Sequence, residues 1–108
     1  MADMKSIAVL TAGGDAPGMN PCVRAVVRAA LGLGLRAHGV RRAYEGLARG
    51  DIAELGARDV GGIIQRGGTM LQTARFPEFA KPEVQQEALR QLKAHGIDAL
   101  VAIGGDGT

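Results

Sequence analysis

The sequence predicts an α/β domain, an open parallel sheet with helices on its faces, and three observations carry that expectation. Two short, continuously apolar runs, Ile7 to Ala12 and Ile97 to Ile103, each lead into a Gly-Gly-Asp tripeptide. Runs of that length suit strands buried on both sides, as parallel sheets require. Between them lie two stretches whose apolar residues recur at helical spacing. Finally, the chain is 46% hydrophobic but only 3% aromatic, without Trp. Its core must therefore come from Val, Ile, Leu and Ala, which fit a sheet flanked by small-residue helices.

Taken in order, Ser6 to Ala12 forms the first strand, stopped by Gly13-Gly14 and the turn residues Asp15 to Gly18. Asn20 suits an N-cap and Pro21 the first helical position, where its missing N–H is no loss. Val23, Val26, Val27 and Ala30 give the following helix its apolar face, with Arg24 and Arg28 one turn apart on another. Gly32 or Gly34 ends it, and a second strand follows around Leu35 to Val40. From Arg41 to Phe79 the pattern predicts only a short helix near Tyr44 to Arg49, then loops. A structureless stretch of that length is expected to be functional. Pro82 to His95 reads as a second long helix with Val84, Ala88, Leu89 and Leu92 inward and Gly96 as its terminator. Ile97 to Ile103 is then another buried strand. The chain ends at Thr108, where the last glycine loop is expected to feed a helix. The sheet is thus expected to be incomplete at its C-terminus.

Composition excludes several roles. The formal charge is +2, with Arg and Lys scattered rather than gathered into a basic stripe, so no nucleic acid partner is expected. The apolar run at Ile7 is far too short for a membrane span, and the first residues do not resemble a secretion signal. One cysteine, Cys22, rules out an intrachain disulfide and fits a cytoplasmic protein. It reads as a packed helix residue rather than a nucleophile. His38 and His95 have no partners at metal-ligand spacing and read as ordinary polar residues.

The chemistry is expected where the glycines cluster. Of 17 glycines, eight fall in four adjacent pairs, including Gly13-Gly14 and Gly104-Gly105. A side-chain-free loop at a strand end lets backbone N–H groups face a phosphate, helped by the next helix N-terminus. It also simply makes a tight turn, and the glycines alone leave both readings open. Gly104-Gly-Asp-Gly-Thr108 adds a carboxylate able to reach Mg²⁺ beside a bound phosphate. Asp-Gly is also a common hairpin turn, but a preceding buried strand favours a ligand.

Ile7-Ala-Val-Leu-Thr-Ala-Gly-Gly-Asp-Ala-Pro-Gly-Met-Asn20 closely resembles the opening of bacterial phosphofructokinases. Gln65-Arg-Gly-Gly-Thr-Met-Leu-Gln-Thr-Ala-Arg-Phe-Pro-Glu-Phe79 and His95-Gly-Ile-Asp-Ala-Leu-Val-Ala-Ile-Gly-Gly-Asp-Gly107 resemble two further blocks of that family. The match holds in register from about Lys5 to Thr108. The resemblance implies a three-layer, Rossmann-like nucleotide-binding domain of which residues 1–108 are the N-terminal part. It implies an enzyme moving the ATP γ-phosphoryl group to the 1-hydroxyl of fructose 6-phosphate, with Mg²⁺ as cofactor.

Residue by residue, the resemblance places Gly14 against the ATP phosphates and Asp106 on the Mg²⁺. Gly105, Gly107 and Thr108 surround the nucleotide. Tyr44 lies near it, Arg75 and Phe76 contact it, and Arg75 bridges toward the transferred group as a catalytic residue. A planar guanidinium suits charge spread over several phosphate oxygens. Gly107 stands where pyrophosphate-using members typically carry Asp, so ATP is the expected donor. Arg24 and Arg28 match an effector site for ADP or phosphoenolpyruvate between subunits; a solvated helix face is the other reading. Gly62 replaces an acidic residue often found at that effector site, and Pro21-Cys22 replaces small residues after Met19-Asn20. Thr108 replaces a common Ser and keeps its hydroxyl.

The family's general base, an Asp in a Thr-Ile-Asp-Asn-Asp segment, falls beyond Thr108, as do the second domain and most sugar-phosphate contacts. The resemblance also suggests a homotetramer. Residues 1–108 alone are accordingly expected to be inactive, and a non-catalytic nucleotide-binding or subunit-docking piece is one alternative. A NAD or diacylglycerol kinase relative is another, because those proteins share Gly-Gly-Asp-Gly-Thr; the first two blocks argue against it.

Overall fold

A computed structural model describes residues 4–12, 19–61, 71 and 77–104. It contains strands β1 (Ser6–Ala12), β2 (Arg36–Val40), β3 (Ile52–Leu55) and β4 (Ala99–Gly104). The helices are α1 (Met19–Gly32), α2 (Ala43–Arg49), α3 (Ala57–Val60) and α4 (Pro82–Ala94), with a 3₁₀ turn at Pro77–Ala80. The sheet order is β3-β2-β1-β4. β1 pairs in parallel with β2 and β4, as expected, while β3 adds an antiparallel edge that the sequence reading left as loop. The sheet is therefore mixed. Four residues are too few to show a period, which is why β3 and α3 leave so little trace in sequence.

β1 alternates between two cores, as a strand must when both faces are covered. Ile7 and Val9 pack with Val23, Val27 and Ala30 of α1, Val60 of α3, and Ala37, Leu55 and Leu71. Ala8, Leu10 and Ala12 point the other way, into Ala43 and Leu47 of α2, Ala88 of α4, Val40 and Ile97. Helices thus cover both faces, giving three layers. No helix among the described residues is long and apolar enough to cross a membrane.

Both long helices end alike. Gly34 (φ 79°) and Gly96 (φ 69°) adopt the left-handed conformation. Leu35 and Ile97 then donate their N–H groups back to the Ala30 and Leu92 carbonyls, at 2.9 Å each. This is the glycine-terminated pattern that satisfies the last free carbonyls of a helix. The termination expected at Gly96 is present, and of the two candidates after α1 it is Gly34 that turns left-handed.

Four expectations need correction. α1 begins at Met19, so Asn20 lies inside it rather than capping it, and Asn20 is buried. Cys22 is exposed on α1, not packed, because Val23 and Val27 take the inward positions. Leu89 is 56% exposed, since Ala88 faces the core and its neighbour must face away. β4 is only half-buried, and among the described residues it is hydrogen-bonded on one edge alone. His38, an ordinary polar residue as expected, lies in the core, where its Nδ1 is 3.0 Å from the Ser6 hydroxyl and 3.2 Å from the Ile7 carbonyl oxygen.

Candidate functional site

The strand order decides where a ligand can enter. From β1 the chain moves one way to β2, and it later returns to β4 on the other side of β1. Such a reversal marks the carboxyl ends of β1 and β4 as the place where open α/β sheets bind ligands. Register makes this concrete: Ala12, the last residue of β1, is paired with Gly104, the last of β4. The strand ends that precede the two Gly-Gly-Asp segments in sequence are therefore neighbours at one sheet edge.

The neighbouring strand delivers a third component to that edge. After Val40, Arg41 and Arg42 turn the chain into α2, and Arg42 (φ 62°) and the first helical residue, Ala43 (φ 54°), are left-handed. Non-glycine residues rarely adopt this conformation, and each costs about 1–2 kcal/mol. The turn is fixed from several directions. Arg41 N–H donates to the Asp51 carbonyl at 3.0 Å and Arg42 N–H to the Leu71 carbonyl at 2.8 Å. Gly46 passes so close to the Arg41 carbonyl oxygen that a β-carbon there would sit 1.6 Å from it. Glu45, largely buried, lies 3.6 Å from the Arg42 guanidinium and 3.4 Å from that of Arg49.

This turn presents Tyr44, whose ring stacks on Phe79 with centroids 4.5 Å apart and planes 27° from parallel. That spacing is within the preferred range for offset aromatic pairs. Both rings are half-buried, so they form a partly open apolar shelf, the kind of surface on which a planar base can lie. Phe79 was not singled out from sequence. The signal was scarcity: with one Tyr, two Phe and no Trp in the chain, every aromatic ring merits a role.

Arg24 and Arg28 sit on α1, on the opposite face of the sheet from Tyr44. Arg28 is exposed, whereas Arg24 is half-buried and its Nε is buried without a hydrogen-bond partner among the described residues. A cavity of about 310 Å³ opens near β2 and β3, lined in part by Gly39, Arg41, Asp51, Leu55, Asp59 and Leu71. Neither Tyr44, Phe79 nor the α1 arginines line it. Among the described residues, no group of three His, Cys, Asp or Glu side chains could hold a metal. Among the described residues, Asp98 has the one displaced acidity: its carboxylate accepts the Lys5 N–H at 2.8 Å and the Ser6 N–H at 3.0 Å, which hold it below the usual carboxylate range. It ties β4 to β1 at the amino edge, away from the strands' carboxyl ends, and its role is structural.

Gly14, Arg75, Phe76, Gly105, Asp106, Gly107 and Thr108 lie outside the described residues. The described framework brings together the ends of β1 and β4 with Tyr44 on α2. It separates all of these from Arg24 and Arg28.

A family model described as Phosphofructokinase matches residues 6–108. The chain is 59% identical over 105 residues to an ATP-dependent 6-phosphofructokinase of Streptococcus suis and 58% identical to that of Streptococcus mutans; each match covers 97% of this chain and 31% of the relative. The chain thus spans about a third of the length of these curated relatives. Among solved structures, the crystal structure of Pichia pastoris phosphofructokinase in the T-state superposes with a TM-score of 0.92 at 44% identity, over 96% of this chain and 11% of that one. Phosphofructokinase from Saccharomyces cerevisiae also gives 0.92, at 48% identity, over 95% of this chain and 14% of that one.

Proposed function

The chain belongs to the phosphofructokinase family, and from that premise we propose that it supplies much of the nucleotide side of an ATP-dependent 6-phosphofructokinase. The reaction is transfer of the ATP γ-phosphoryl group to the 1-hydroxyl of fructose 6-phosphate, giving fructose 1,6-bisphosphate in glycolysis. The observation that supports this reading is the pairing of Ala12 with Gly104, the strand ends beside which both Gly-Gly-Asp segments fall in sequence.

In this account Gly14 and Gly105 offer backbone N–H groups to the ATP phosphates, with Gly107 and Thr108 beside them. Tyr44, with Phe76, faces the nucleotide, and Phe79 backs Tyr44. Arg75 spreads its charge across the transferred group, where phosphoryl transfer depends chiefly on positioning and electrostatics. Asp106 is the residue that holds Mg²⁺. A lone carboxylate among glycines suits that ion, which keeps much of its water and shares its remaining ligands with phosphate. When bound, Mg²⁺ neutralises phosphate charge.

Arg24 and Arg28 are assigned to the effector site, for ADP or phosphoenolpyruvate. The buried, unbonded Arg24 Nε favours an anion there, because a buried donor without an acceptor is costly. We assign the protein to the cytoplasm and, by family, to a homotetramer. A polypeptide of residues 1–108 alone is not expected to turn over, since the acceptor pocket and general base are assigned beyond Thr108.

The test is a substrate panel on the full-length protein: ATP or pyrophosphate as donor, and fructose 6-phosphate, NAD or diacylglycerol as acceptor. Fructose 1,6-bisphosphate should form with Mg-ATP alone, and Arg75→Ala or Asp106→Ala should lower kcat about 100-fold or more. Phosphorylation of NAD or diacylglycerol in place of the sugar phosphate would refute the assignment.

A further inference from the structure

We propose that Arg42 is a further nucleotide-binding residue, whose guanidinium, held by the Glu45 carboxylate, meets the phosphates of ATP. Its side chain burdens the fold where it stands. Arg42 is left-handed (φ 62°), and Ala43 repeats that conformation at once (φ 54°). Glycine adopts it without a β-carbon clash, and Asn or Asp more readily than Arg. The side chain returns little stability: its ion pair with Glu45, at 3.6 Å, leaves it 56% exposed, and such pairs are weak. Strained non-glycine residues gather at ligand sites, where the side chain has a use that offsets the strain.

The charges around Arg42 point to that use. The Glu45 side chain is only 15% exposed and lies 3.6 Å from the Arg42 guanidinium and 3.4 Å from that of Arg49. One carboxylate therefore serves two guanidiniums, and the group keeps a surplus positive charge. Arg42 has five N–H donors, of which a shared carboxylate occupies few. It follows β2, which runs parallel to β1, and stands two residues before Tyr44, whose ring forms the aromatic shelf with Phe79. A surplus cation beside an aromatic surface matches a nucleotide, which joins a planar base to anionic phosphates. The inference rests on the nucleotide reading of Tyr44; the role of Arg42 is a separate claim about which side chain meets the charge.

The experiment measures Mg-ATP binding by calorimetry on the full-length protein, beside Arg42→Gly, Arg42→Gln and Arg42→Lys, with melting temperatures and transfer to fructose 6-phosphate recorded separately. Arg42→Gly and Arg42→Gln should both weaken Mg-ATP about fivefold or more, although Arg42→Gly melts no lower than wild type. Arg42→Lys, which keeps the charge, should stay within about threefold of wild type. The losses should shrink as salt rises, because an exposed charge is screened. Wild-type affinity in Arg42→Gly and Arg42→Gln would overturn the proposal, as would a loss in Arg42→Gly that Arg42→Gln does not share, since that effect would lie in the backbone. A wild type that binds Mg-ATP without phosphorylating fructose 6-phosphate would overturn the activity assignment and leave the Arg42 comparison standing. A wild type that does not bind Mg-ATP would overturn both.

Discussion

At Gly46 a β-carbon would lie 1.6 Å from the Arg41 carbonyl oxygen, which is backbone and cannot swing aside. Gly46→Ala should therefore cost about 3 kcal/mol in chemical denaturation, at the upper end for overpacking. Arg42 makes the opposite prediction. It is exposed and left-handed, and its ion pair with Glu45 is weak by position. Arg42→Gly should be neutral or stabilising by up to about 1 kcal/mol, whereas Arg42→Val, β-branched, should destabilise. Asp98 supplies the pH dependence. The Lys5 and Ser6 N–H groups hold its carboxyl low in the folded chain, so the unfolded chain takes up the proton first as pH falls. Its stabilising contribution is present above the ordinary carboxylate value of about 4 and disappears as pH drops through the lowered folded value. Asp98→Asn should melt below wild type at neutral pH, and the gap should close in acid. The glycine pairs drew the sequence reading toward the loops. Gly46, a described position where backbone leaves no room for a side chain, lies outside those pairs, and only the packed structure reveals it.

The helix ends give the cleanest prediction for elements. Gly34 and Gly96 occupy the same left-handed terminating position, and a β-carbon on either meets nothing within 4 Å. Gly34→Ala and Gly96→Ala should thus each cost about 1 kcal/mol, from backbone conformation alone. Losses well above that would mean steric conflict. Both long helices and all three parallel strands were legible because their apolar periodicity is long or their runs are bounded by glycine. β3 and α3 were not, because each has four residues and owes its place to packing: Leu55 and Val60 fill the core under α1.

For the whole molecule, the decisive fact is strand order. The sequence shows two Gly-Gly-Asp segments 91 residues apart but not that their strands are neighbours; that emerges only when β4 returns to pair with β1. The residues proposed for the nucleotide rest on family likeness, while the Tyr44–Phe79 stack, which joins residues 35 apart, is a product of tertiary packing. Cores on both faces of the sheet predict that residues 1–108 fold and bind Mg-ATP without turning it over. An amide NMR titration of this chain with Mg-ATP, with Asp106→Ala as control, tests that most directly. The account predicts dispersed resonances, with shifts centred on Tyr44, Phe79 and the ends of β1 and β4, reduced in the control. Resonances that stay still there, or that move equally in Asp106→Ala, would contradict a nucleotide site at that edge.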